Sequence, residues 1–300
     1  MSLLVVGSMA LDTITTPHGT HEDILGGAAC FFSVGARHFT DLRLVGVIGD
    51  DFPEEHVSML RDRGIDLAGL ERRAGAKTFR WTGQYEGRMD VAETLKTELN
   101  VLGEFRPTLP SSFTDTPFAF LANGDPVTQA WVADQLADRK FVLLDTMNFW
   151  IEGARDALVT AIKKVDGVIM NDEEARALGG SDNLIRAMKN VVELGVRTLI
   201  VKKGEHGAVL LQDGELFATP AYPLEEVFDP TGAGDTFASG LMGYVAESGD
   251  TSFDGFKRAL AYGTIVASFT VEGFGLSRLL EISRADIERR VENFLAFTRF

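Results

Sequence analysis

Between Asp229 and Leu241 the chain reads DPTGAGDTFASGL. Gly232, Ala233 and Gly234 stand directly before the carboxylate of Asp235. The stretch Thr236–Glu247 then places Phe237, Leu241, Tyr244 and Val245 on one helical face. Small residues at a helix start let a ligand approach the backbone closely. The first amides of a helix lack intrahelical acceptors and sit at the positive end of its dipole, which makes an anion site suited to phosphate. A carboxylate beside such a site is repelled by the ligand, unless it serves the group that attacks the phosphate. Asp235 could then take the proton of an alcohol as the alcohol attacks. The alternative is an ordinary helix start with a stabilising acid in its first turn.

These residues need elements to hold them. Short apolar runs at Leu3–Gly7, Arg43–Gly49, Phe118–Ala122, Phe141–Asp145, Gly167–Met170 and Thr198–Lys202 read as buried strands. Helical patterns at Pro126–Ala137, Glu152–Lys164 and Asn183–Leu194 lie between them. Strands alternating with helices predict an α/β fold, with a mostly parallel central sheet covered on both faces. In such sheets ligands bind at strand C-termini, which marks Asp145 and the nearby Asn148 as lining the site. Two polar segments, 12–25 and 78–100, break the rhythm. The second carries Phe79, Trp81 and Tyr85 at period two, the pattern of strands with one wet face. They are expected to form a small β-sheet lid inserted in a single 1–300 domain. That lid could cover a pocket or pair with a second copy of the chain.

Composition narrows the function. The 300 residues carry a formal charge of −15, which disfavours a nucleic-acid partner. One cysteine, Cys30, rules out an intrachain disulfide and fits a cytoplasmic location. MSLLVVG reads as a first strand and not as a signal peptide, and no apolar run is long enough for a membrane partner. The chain has no G-x-x-x-x-G-K-[ST] and no G-x-G-x-x-G after its first strand, which argues against a P-loop kinase and a dinucleotide-binding dehydrogenase.

The string D-P-T-G-A-G-D-T-F resembles the signature of the ribokinase family, also called the PfkB carbohydrate kinase family. The resemblance runs from end to end and implies the ribokinase-like fold. It implies that Gly232, Ala233 and Gly234 form the anion hole for the transferred phosphate, that Asp235 is the catalytic base, and that Thr231 lies on the nucleotide side. GSMALD is similar to the family's opening element and makes Asp12 an acceptor for substrate hydroxyls. Gly26 and Gly27 match its substrate-side Gly-Gly, and Asp51 in GVIGDDFPEE matches an aspartate near the substrate. Asn171 and Glu174 match an N-x-x-E element, through which Glu174 would position the magnesium of Mg-ATP by way of water. The same two residues also fit a capping box. Lys203 and Gly204 are expected to meet ATP. Gly273 and Gly275 fall where the family closes over adenine and where some members hold a monovalent cation such as K⁺.

The match departs at GGAACFF, where Ala28 and Phe31 replace the polar residues that ribokinases direct at the sugar. Phe31 could stack on a base or be plain core. With the aromatic 78–100 segment, this points to a subgroup related to nucleoside kinases. The expected activity is ATP-dependent phosphorylation of a primary alcohol on a small substrate, leaning to a ribonucleoside such as adenosine. The alternatives are a sugar kinase of the same family (fructose, ribose or inositol type) and a non-catalytic nucleotide-binding protein.

Overall fold

The computed structural model describes residues 1–89 and 91–299. Residue 90, inside the 78–100 segment, and residue 300 lie outside the described residues. The chain opens with β1 (Leu3–Val6), β2 (Ala10–Thr16) and β3 (Gly19–Gly26), then α1 (Ala28–Ala36), β4 (Leu42–Gly49), α2 (Glu54–Asp62) and β5 (Ile65–Arg73). Strands β6 (Phe79–Tyr85) and β7 (Ala92–Glu98) follow, and a 3₁₀ turn (Asn100–Glu104) leads to β8 (Phe118–Leu121) and α3 (Pro126–Ala133). Next come β9 (Phe141–Asp145), α4 (Asn148–Gly153), α5 (Arg155–Ile162), β10 (Gly167–Asn171), α6 (Asp172–Gly179), α7 (Leu184–Val192) and β11 (Thr198–Lys202). The last part holds β12 (Ala208–Gln212), β13 (Glu215–Thr219), α8 (Ala233–Ser248), α9 (Phe253–Thr270), α10 (Ser277–Glu281) and α11 (Arg284–Thr298).

Nine strands form one sheet in the order β13-β12-β11-β10-β9-β8-β1-β4-β5. It is parallel from β11 to β5 and antiparallel through β12 and β13. Alternating residues of each strand serve opposite faces. Leu3 and Val5 pack with α1, α8, α9 and α11, whereas Leu4 and Val6 pack with α3, α5, α6 and α7. The result is the expected helix–sheet–helix sandwich. Two details differ from expectation. The helix read across Glu152–Lys164 is broken at Ala154, which leaves helical space (φ −143°, ψ 36°) after Gly153. Strand β5 was not read from the sequence because its residues are mostly half-buried or exposed.

The second sheet, β3-β2-β6-β7, is built from the two segments that broke the α/β rhythm. It is fastened to the body at its base. Asp51 accepts from the Thr78 amide (2.7 Å) and from Arg80 (3.2 Å), and Thr78 accepts from the Gly49 amide (3.0 Å).

Helix α8 starts at the glycine loop, so its packing sets the position of that loop. It lies backbone-to-backbone against α9. A Cβ at Gly240 would sit 2.5 Å from the Tyr262 carbonyl oxygen, and one at Gly263 2.8 Å from that of Phe237. Gly240→Ala therefore forces the helices apart and is expected to cost about 1–3 kcal/mol. A urea melt that matches wild type would show that the pair is not close-packed.

Candidate active site

The glycine loop owes its shape to Asp229, which is fully buried. Its Oδ1 accepts from the Thr231 amide (2.9 Å) and its Oδ2 from the Gly275 amide (2.8 Å). Gly232 then turns through left-handed space (φ 75°) as the N-cap of α8, without a side-chain cap. A side chain there is excluded twice over, because a Cβ would also lie 2.3 Å from the Phe31 ring. The Ala233 amide is spent on the Pro230 carbonyl (3.1 Å). Among the described residues, the amides of Gly232 and Gly234 have no acceptor. The expected three-residue anion hole thus reduces to two amides at the positive end of a 16-residue helix.

A charged cluster faces this end. Asp145 closes β9, Asn171 closes β10, and Lys202 closes β11, with Asn171 and Lys202 side by side in register. Lys202 Nζ lies 3.3 Å from Asp145 Oδ2 and 3.0 Å from where a Cβ on Gly234 would stand. Burial works against the charge on Lys202, but Asp145, Glu174 and Asp235 outweigh it and hold its pKa above the usual range. Burial pushes the Asp235 carboxyl up to about 7, with Asp145 adding to the rise and Lys202 opposing it. Glu174 is likewise raised to about 7, chiefly by burial. It also closes a capping box: its Oε2 accepts from the Asn171 amide (2.7 Å), and Asn171 Oδ1 accepts from its own amide (2.8 Å). Both readings of the N-x-x-E element therefore meet in one residue. Among the described residues, no group of three or more His, Cys, Asp or Glu could hold a metal ion. Glu174 Oε1 stays unengaged among the described residues. The donor set fits a magnesium ion that is held mainly by phosphate and water.

On the substrate side Asp12 is 4% exposed, and its Oδ1 has no partner. Burial raises it to about 7; the Gly27 amide opposes this, while Asp229 and Asp235 add to it. Gly26 must be glycine, since its Cβ would fall 1.9 Å from Asp12 Oδ2. Tyr85, from the small sheet, pairs its hydroxyl with that of Thr231 (3.2 Å).

Several expected residues sit elsewhere. Phe31 is 2% exposed and packs beneath Gly232, so its ring is core and cannot stack on a base. Both oxygens of Asp51 are engaged at the base of the small sheet. Burial opposes but does not overcome the Thr78 and Arg80 hydrogen bonds, which hold its pKa below the usual range. Gly275 gives its amide to Asp229, and a Cβ there would meet Ile24 of β3 at 3.0 Å, which puts it beside the small sheet. A Cβ at Gly273 would lie 2.8 Å from Ser277 Oγ, in the turn into α10. Lys203 and Gly204 form the turn between β11 and β12, with the Lys203 amide on the Gly207 carbonyl (2.8 Å). Lys202 enters the cluster instead, and its place as the last residue of a buried strand was the available signal. Asn148 is exposed at the start of α4.

Comparison with known proteins gives the family and the fold. The profile of the pfkB family carbohydrate kinases matches residues 125–282. The chain is 29% identical over 253 residues to a cytidine kinase of Thermococcus kodakarensis, covering 81% of this chain and 88% of that protein. It is 24% identical over 273 residues to a nucleoside kinase of Methanocaldococcus jannaschii, covering 88% and 84%. In fold it is similar to the crystal structure of the latter (TM-score 0.80, 22% identity, 97% and 98% covered) and to that of adenosine kinase from Sinorhizobium meliloti (TM-score 0.82, 18% identity, 96% and 98% covered).

The raised carboxyl has a consequence for stability. Folded Asp235 holds its proton up to about 7, whereas the unfolded residue releases it near 3.8. The folded state loses stability as pH rises through that window, and the loss is complete above it. Asp235→Asn removes this dependence. Its melting temperature should match wild type near about pH 4 and exceed it most by about pH 8. A gap that is constant across pH would refute the raised pKa.

Proposed function

We propose that this chain, which belongs to the pfkB family of carbohydrate kinases, transfers the γ-phosphoryl group of ATP to a primary hydroxyl of a ribonucleoside. The observation that carries the chemistry is a half-buried Asp235 with a raised pKa beside two unpaired amides and Lys202. The substrate hydroxyl gives its proton to the Asp235 carboxylate, and its oxygen attacks the γ-phosphorus while ADP leaves. The Gly232 and Gly234 amides, with Lys202, stabilise the negative charge on the phosphoryl group in flight. A magnesium ion bound with ATP would supply charge neutralisation, and Glu174 would orient its water shell through its free oxygen. Asp12 accepts hydrogen bonds from the sugar hydroxyls. The small sheet excludes water, which limits hydrolysis of ATP.

The nucleoside preference is supported by the relatives named above, of which the cytidine kinase shares the highest identity of the two. A free sugar remains the competing acceptor. A coupled ADP-release assay tests the reading with adenosine, cytidine, other ribonucleosides, ribose, fructose and inositol, in K⁺ and then in Na⁺. Selective turnover of a nucleoside is expected, and Asp235→Asn should lower it roughly 10²–10⁴-fold. Near wild-type turnover in that variant would remove Asp235 from the role of base.

The reading includes a homodimer through the small sheet. Its outer strand β7 is mostly exposed, and Val91, Leu95 and Leu99 in and around it present apolar side chains to solvent. Light scattering should give twice the 32.7 kDa chain mass. A monomer at micromolar concentration would exclude this pairing.

A further inference from the structure

Strand β6 alternates along its length, from Phe79 to Tyr85. Side chains two apart share a face of a strand. Trp81, Gly83 and Tyr85 therefore lie on one face of the small sheet, and Arg80, Thr82 and Gln84 on the other. Two observations show that the first face looks towards the body. The Tyr85 hydroxyl reaches Thr231 of the glycine loop (3.2 Å). Asp12, which feels the charges of Asp229 and Asp235, stands directly beside Trp81 in the unbroken parallel register of β2 and β6. In-register neighbours point the same way, so the indole belongs to the side that meets the candidate active site.

The indole is laid flat on that face. A Cβ at Gly83 would lie 2.0 Å from Trp81 Cη2 and 2.2 Å from Cζ2, so the six-membered ring covers the bare backbone of Gly83. Trp81 Nε1 donates to Thr94 Oγ1 (3.2 Å), on β7 directly beside Gly83. Glycine thus gives the ring room, and Thr94 fixes its orientation. Trp81 is half-buried, and Thr94 and Thr97 beside it are exposed. Among the described residues no other aromatic ring packs on the indole. Its second face is therefore turned to the gap between sheet and body.

Neighbouring strands stand about 4.8 Å apart. A sugar held by its hydroxyls at Asp12 has the indole within the reach of one ring attached to it. A planar base stacks on an aromatic face whichever hydrogen-bonding groups it carries. A free sugar offers no such plane. We propose that Trp81 is the platform on which the planar part of the acceptor stacks, and that it is a residue that favours nucleosides over free sugars. This rests on the nucleoside reading above and carries it to one side chain. An indole that merely covers Gly83 predicts something else: lost stability with acceptor preference unchanged.

The test is kcat and KM for cytidine, adenosine and ribose in wild type, Trp81→Ala, Trp81→Phe and Gly83→Ala. Trp81→Ala should raise the KM of both nucleosides about tenfold or more, and leave kcat and the ribose KM within about twofold of wild type. Trp81→Phe restores a ring and should recover most of the loss. Gly83→Ala keeps the indole but pushes its far end off the strand, and should act like Trp81→Ala. Binding is read without turnover in a chain carrying Trp131→Phe and Trp150→Phe, where Trp81 is the remaining tryptophan of three. Adenosine should quench its fluorescence, and ribose should not. Nucleoside KM values that Trp81→Ala leaves unchanged, or raises only in step with that of ribose, would overturn the platform and leave the nucleoside kinase intact. So would a nucleoside that is turned over without quenching Trp81. Turnover of ribose with no nucleoside turned over would overturn both.

Discussion

The ligand-facing end of the molecule is governed by the cost of burying acids. Asp12, Asp145 and Glu174 are buried carboxyls and Asp235 is a half-buried one, and Lys202 is the ammonium that answers three of the four. An unpaired charge taken from water costs several kcal/mol. The fold offsets this with backbone donors: Thr146 to Asp145, Asn171 to Glu174, Gly27 to Asp12. What those bonds leave uncompensated appears as raised pKa values. Under the proposed mechanism the same crowding suits Asp235 to act as a base near neutrality, because a higher pKa makes a carboxylate a stronger proton acceptor.

Only one part of a parallel sheet can assemble such a cluster. Strands β9, β10 and β11 end side by side, so residues 145, 171 and 202 meet although they lie dozens of positions apart. Helix α8 then brings its N-terminus over them from much later in the chain. The antiparallel hairpin β12–β13 adds no further end of this kind, which confines the charged cluster to the middle of the sheet.

Much of this was legible in the sequence because it is written locally. The parallel strands are unbroken apolar runs, and the small sheet keeps period two with Phe79, Trp81 and Tyr85. The glycine loop and Asp235 are contiguous, so a short motif held the residues to which the proposal assigns the chemistry. What was missed depends on distance in the chain. Lys202 and Lys203 look alike in sequence, and only the strand end tells which side chain enters the site. Phe31 faces Gly232 across two hundred positions, and nothing near either residue announces that contact. Asp51 looked like a free acid because Arg80, its partner, sits on a different sheet. The motif also implied three amides for the anion hole, whereas local turn geometry spends one of them on Pro230.

The bond between Tyr85 and Thr231 joins the small sheet to the glycine loop that leads into α8. Thermodynamic linkage then works in both directions. Whatever seats the small sheet against the body steadies Thr231, and with it the Asp229-braced turn into α8. Conversely, an anion settled in that turn favours the seated sheet. Under the proposed function, the acceptor held by the small sheet and the phosphoryl donor held at Gly232 and Gly234 would both act on this one contact. Each substrate would then be an effector of the other's affinity without any dedicated regulatory site.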